Sequence, residues 1–87
     1  FVNQKCIRAA GSKQGPAETR FLRVVYGEAP KLVPCRVEIE RDLGGLPKPN
    51  TKKEDIYKAK NQSSSCDKTA DRQLARLKKK DFVCVNE

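Results

Sequence analysis

Residues 32–40 read Leu-Val-Pro-Cys-Arg-Val-Glu-Ile-Glu, and apolar and polar side chains alternate along them. Val33, Cys35, Val37 and Ile39 point one way, and Pro34, Arg36, Glu38 and Glu40 the other. That period of two is the signature of a strand with one buried face. Pro34 has no N–H to give a ladder, so it is expected at a sheet edge or near the strand start. Just upstream, Phe21 to Tyr26 (FLRVVY) is β-branched and aromatic, a second strand. Gly27 to Lys31 (GEAPK) is turn material, so the two strands are expected as an antiparallel hairpin.

Further strands are less clearly marked. Phe1 to Ile7 is compatible with one, with Val2, Gln4 and Cys6 on a common face. Ala9 to Thr19 is small, polar and broken by Gly and Pro, a loop, and Asp42 to Lys53 reads the same way. Lys48, Lys52 and Lys53 put charge on that second loop. Glu54 to Gln62 is ambiguous. Thr51 with Glu54 mimics a helix capping box, but the alternation of Ile56, Lys58 and Lys60 with Tyr57, Ala59 and Asn61 favours a strand.

The C-terminal part holds the one clear helix, over 66–80. Cys66, Ala70, Leu74 and Leu77 form an apolar stripe. Ser63, Ser64 and Ser65 are placed to cap its start. Asp67 lies early and Lys78, Lys79 and Lys80 late, as the helix dipole prefers. Phe82 to Val85 returns as a short extended segment. The expected fold is a single α+β domain over 1–87. It has a small antiparallel sheet of three or four strands, one face covered by the C-terminal helix on Val33, Val37 and Ile39, and two disulfides as staples.

The need for staples follows from size. The chain has 87 residues, 37% hydrophobic and 34% charged, with no Trp or Met, three Phe and two Tyr. A core built from so few large side chains is thin. The four cysteines, Cys6, Cys35, Cys66 and Cys84, form an even set in a short chain, which reads as two disulfides made in an oxidising compartment. A zinc site is the rival reading, but no two cysteines are close in sequence and there is no His. Pairing is left open among three connectivities. A helix from Cys66 to Lys78 runs ~18 Å, and three extended residues recover ~10 Å of it. A disulfide needs Cα atoms within ~7 Å, so Cys66–Cys84 is borderline on length.

The order of features resembles small cysteine-containing secreted and periplasmic proteins of proteobacteria, a family without an established activity. The pieces that carry the resemblance are Leu22–Tyr26, Pro34–Val37, Ala59–Asn61, the cysteine-led helix Cys66–Leu77 and the aromatic-x-Cys ending Phe82–Cys84. The family usually places aromatic residues and Gly around the last two cysteines, whereas here Ser65 precedes Cys66 and Phe82 follows Asp81. The resemblance implies a compartment and a fold. It also tips the disulfide map toward Cys6–Cys35 with Cys66–Cys84. The chain begins at Phe1 and contains no Met, which fits a mature chain after signal-peptide removal, or a trimmed one. No apolar run is long enough to span a bilayer, and a secreted or periplasmic location is expected.

The usual parts for catalysis are missing. Without His there is no Ser-His or Cys-His pair and no imidazole base. Gly44-Gly45 is a turn dipeptide, not a phosphate-binding loop. Glu38 and Glu40, beside Arg36 and Arg41, read as a solvated charged face rather than a catalytic pair. No enzyme activity, metal or cofactor is expected. Asn61-Gln62-Ser63 is a glycosylation sequon of a kind frequent by chance.

Charge carries the functional expectation. The formal net charge is +8, which biases the protein toward anionic partners. On the helix, Lys68, Arg72, Arg76, Lys78, Lys79 and Lys80 form a basic face. A stacking platform for nucleic acid bases would need aromatic residues among the cations, and only Tyr57 beside Lys58 and Lys60 qualifies. The expected function is a non-enzymatic binding protein (an inhibitor, immunity or accessory factor) engaging an acidic protein partner. The alternative is binding a polyanion: envelope glycolipid, cell-wall polymer or extracellular nucleic acid.

Overall fold

The computed structural model describes residues 1–30, 32–42 and 51–87. Its elements are β1 (Gln4–Arg8), β2 (Glu18–Val25), β3 (Cys35–Asp42), β4 (Thr51–Ala59), α1 (Ser63–Lys79) and β5 (Val83–Asn86). The strands form one antiparallel sheet in the order β4-β3-β2-β1-β5. The α+β architecture holds, with five strands instead of three or four. The extra strand is β5, which lies against β1 and so makes both chain ends part of the sheet.

The central hairpin registers Leu22 on Ile39 and Val24 on Val37. This common face carries the larger core cluster: Leu22, Val24, Cys35, Val37, Cys66 and Ala70, flanked by Tyr26, Ile39, Ile56, Tyr57 and Leu74. A second cluster of Cys6, Leu77 and Phe82 sits under the C-terminal end of the helix. The apolar stripe of α1 therefore lies diagonally across the sheet, from the start of β3 to β1 and β5. Pro34 stands just before β3, where its missing donor costs no ladder bond. Gly27 begins the turn because the chain returns against it: a Cβ there would stand 2.5 Å from the Val33 carbonyl oxygen.

Segment boundaries moved where polar residues occupy strand positions. β2 begins at Glu18 and β3 runs to Asp42, so both continue into stretches read as loops. The Glu54–Gln62 segment is strand through Ala59 and begins earlier, at Thr51, with a register shift opposite Val37 and Glu38. Lys52 and Lys53 thus lie in β4. Lys48 and the Gly44-Gly45 pair lie outside the described residues. Glu38 is not solvated as expected: it is 3% exposed. Val33 precedes β3 and stays outside the core cluster, so the stripe rests on Val37 with Ile39 at its margin.

The helix starts at Ser63, and its N-cap is Gln62, with no side-chain cap. The serines expected to cap lie inside the first turn, where Ser65 Oγ donates to the Gln62 carbonyl. At the other end the N–H of Lys80 and of Phe82 both donate to the Leu77 carbonyl, and Asp81 takes a left-handed conformation at φ 66°. This is the pattern of a helix stop that reverses the chain into the next element.

The disulfides are Cys6–Cys84 and Cys35–Cys66, which overturns the pairing suggested by the resemblance. The reason is topological. Cys6 and Cys35 lie on strands separated by β2. Cys66, at the end of the first turn of α1, faces the start of β3. The remaining helix then carries the chain across the sheet, and β5 sets Cys84 directly opposite Cys6. Every cysteine is oxidised.

Candidate functional site

The described surface divides into a sheet whose arginines are each paired with a carboxylate and a helix whose cations are not. On the sheet face away from α1, Arg23 reaches Glu40 at 3.3 Å and Glu38 at 3.8 Å, and its Nε donates to Glu87 at 2.9 Å. Glu38 also receives Arg36 at 3.7 Å and Lys53 at 3.3 Å, and Arg36 reaches Asp55 at 3.6 Å. The hydrogen bond from Arg23 holds the Glu87 carboxyl below the usual carboxylate range, against a smaller opposing effect of burial. With Lys58, 3.9 Å from Asp55, this ladder sets four cations against four carboxylates. Beside it, on β1 and β5, Ile7, Val83 and Val85 are exposed apolar side chains.

The helix-side face holds a second network, built around Glu18. Arg8 Nη2 donates to it at 3.2 Å, Arg20 through Nε and Nη2 at 3.1 Å each, and Arg41 through Nε at 2.8 Å. Burial alone would raise the Glu18 pKa, but the hydrogen bonds and charges of Arg20 and Arg41 outweigh it and hold it below the usual range. Arg8 is completed by the carbonyls of Gln14, Pro16 and Lys80. The guanidinium groups of Arg8 and Arg20 both lie over the Phe82 ring, 4.7 and 4.9 Å from its centroid. Such stacking favours a planar cation over an ammonium.

On α1, Lys68, Arg72, Arg76, Lys78, Lys79 and Lys80 are all exposed. None takes part in an ion pair among the described residues. Lys68, Arg72, Arg76 and Lys80 are spaced by four and so line one side of the helix, with Lys79 adjacent. Lys78 falls nearer the opposite flank, with Asp67 and Asp71. The structure thus brings five of the six expected residues together and sets Lys78 apart. Asp67 is engaged elsewhere: it accepts from the Tyr26 hydroxyl and lies 3.5 Å from the Phe1 amino group. Burial, the bond to Asp67 and the charges of Asp67 and Asp71 push the Tyr26 pKa up to about 12.

Tyr57 packs against the core, which removes it as a stacking platform for bases. The Glu18 network was missed in the sequence because residues 9–19 read as a loop. The detectable signal was the even-numbered series Glu18, Arg20, Leu22, Val24, which continues the core-facing side of β2 into charged residues. The chain matches no protein-family model, no curated protein and no solved structure.

Proposed function

We propose that this is a secreted or periplasmic, non-enzymatic binding protein that engages an acidic protein partner through the exposed cations of α1. The observation that carries this reading is the line Lys68–Arg72–Arg76–Lys80, which has no ion-pair partner among the described residues. Like charges four residues apart on a helix cost ~0.2–0.5 kcal/mol per pair. The helix dipole accounts for cations in the last turn, where Arg76, Lys78 and Lys79 lie. It does not account for Lys68, in the second turn, or for Arg72, at mid-helix. Elsewhere the chain pairs its arginines with carboxylates, so leaving these exposed and repelling one another is consistent with an external counter-charge.

Other features agree with this reading. Two disulfides fit an oxidising compartment, and no described helix is long and apolar enough to cross a membrane. The most buried carboxylates, Glu18 and Glu38, are each held in ion pairs with arginines. The even spacing of the cations also suits a polyanion, so the test must separate the two.

The experiment is a salt-graded pull-down from the producing organism's secreted and envelope fractions after nuclease treatment. The triple variant Lys68→Gln/Arg72→Gln/Arg76→Gln serves as control. One acidic protein retained at fixed stoichiometry through moderate salt, and lost with the variant, supports the proposal. Mixed anionic material that leaves at moderate salt would sink it in favour of polyanion binding, which has the steep salt dependence of counterion release.

A further inference from the structure

We infer that the sheet corner left uncovered by α1, formed by Arg20, Arg41 and Lys52, is a docking site for carboxylate side chains of the partner; this rests on the acidic-partner reading. The strand registers place Cys84, Cys6, Arg20, Arg41 and Lys52 in one row across all five strands, on the helix side. The helix covers only part of that row. It begins over the start of β3, where Cys66 is bonded to Cys35, and ends over Cys6, where Leu77 packs. One corner beside this diagonal is filled by Tyr26, Phe1 and Asp67. The other is the Arg20–Arg41–Lys52 corner. Arg76 and Lys80 lie on the helix flank turned toward it, Arg76 being about half a turn from Asp67 around the axis.

Three cations directly opposed on neighbouring strands, about 4.8 Å apart from strand to strand, are unfavourable on their own. Glu18 relieves part of this and fixes the geometry. It engages Nε and Nη2 of Arg20 and Nε of Arg41. The outer nitrogens of Arg41, a side chain 43% exposed, have no partner among the described residues. Lys52 is exposed and in no ion pair among them. A guanidinium locked from behind is an oriented fork, and its fit to a carboxylate is bidentate. The chain already displays the match, because Glu18 is itself a carboxylate held by these two arginines. Glu54, exposed on the same face of β4, adds a negative charge to the corner. That disfavours a multiply charged phosphate more than a singly charged carboxylate.

The test is a titration of the ¹⁵N-labelled, oxidised protein with hexaglutamate at low salt, followed by NMR, with tripolyphosphate in a parallel arm. Hexaglutamate is expected to shift the amides of Arg20, Arg41 and Lys52. Arg41→Gln is expected to weaken binding about tenfold, the loss of one charge-assisted bond pair. Arg41→Lys, which keeps the charge without the fork, should fall between parent and Arg41→Gln. Lys52→Gln alters an exposed side chain with no ion-pair partner among the described residues and gives a second variant that leaves the fold intact; a severalfold loss is expected. Shifts confined to Lys68 and Arg72, with Arg41→Gln and Lys52→Gln at parent affinity, would overturn the corner site and leave the helix-face reading standing. Tighter binding of tripolyphosphate at the corner would overturn the carboxylate assignment. No response to hexaglutamate at all would overturn the inference, while the pull-down judges the acidic-partner reading separately.

Discussion

Arg8 and Glu18 face each other across β1 and β2, joined at 3.2 Å and only 5% and 7% exposed. A buried pair of this kind contributes little over a well-packed apolar pair, but removing one partner strands the other charge. Glu18→Ala is therefore expected to destabilise the protein by about 3 kcal/mol or more, read from urea unfolding. Arg8→Leu combined with Glu18→Leu should be milder than Glu18→Ala. A loss within about 0.5 kcal/mol for Glu18→Ala, the range of ordinary surface substitutions, would show that the network is not structural.

The same residue sets an acid limit. The Glu18 carboxyl titrates below its usual 4.5 in the folded chain, and Glu87 does likewise against Arg23. Their stabilisation is fully present above 4.5 and is lost as pH falls through the lower folded values. Unfolding free energy measured from pH 6 down to about 2 should decline below 4.5, and Glu18→Gln should flatten that decline.

Gly15 lies over the Arg8 guanidinium at φ 148°, where an added Cβ would stand 2.6 Å from Nη2. Arg8 cannot swing away, since Glu18 and three carbonyls hold it. Gly15→Ala should cost about 1–3 kcal/mol, a strained backbone plus a displaced buried cation. Gly11→Ala, with nothing within 4 Å of the added carbon, is the control for backbone conformation alone.

The disulfides divide the staple work unequally. Cys6–Cys84 closes 78 residues and Cys35–Cys66 closes 31. On chain entropy they stabilise by about 4.5 and 3.7 kcal/mol. Non-reducing peptide mapping should recover these two linkages, and Cys6→Ala/Cys84→Ala should lower stability more than Cys35→Ala/Cys66→Ala. The reverse order would mean that the covalent tie of α1 to the core outweighs loop closure.

The hairpin and the helix were legible because each has a period: two over 33–40, and an apolar stripe at Cys66, Ala70, Leu74 and Leu77. The strand ends were not, since Glu18, Arg20 and Arg41 are charged residues at core-side positions, and only their mutual pairing makes that tolerable. The disulfide map was not legible either, although the length estimate already marked Cys66–Cys84 as borderline. What it lacked was β5, whose four residues set Cys84 beside Cys6. The cations of α1 were visible as a stripe. Their lack of partners was not, because pairing depends on which carboxylates the sheet consumes.

That lack of partners yields a substitution for which stability and function should move in opposite directions. Arg72 has Lys68 four residues before it and Arg76 four residues after, so it takes part in two repulsive pairs. Arg72→Glu converts both into attractions. At ~0.2–0.5 kcal/mol per pair in each sense, the helix should gain about 1 kcal/mol, read as a rise in the urea midpoint with unchanged slope. Binding of the acidic partner should fall at the same time, because a like charge is placed in the contact. If α1 presents merely a solvated face, the stability gain will appear and binding will not change. If Arg72 has a structural role inside the monomer, the gain itself will be absent.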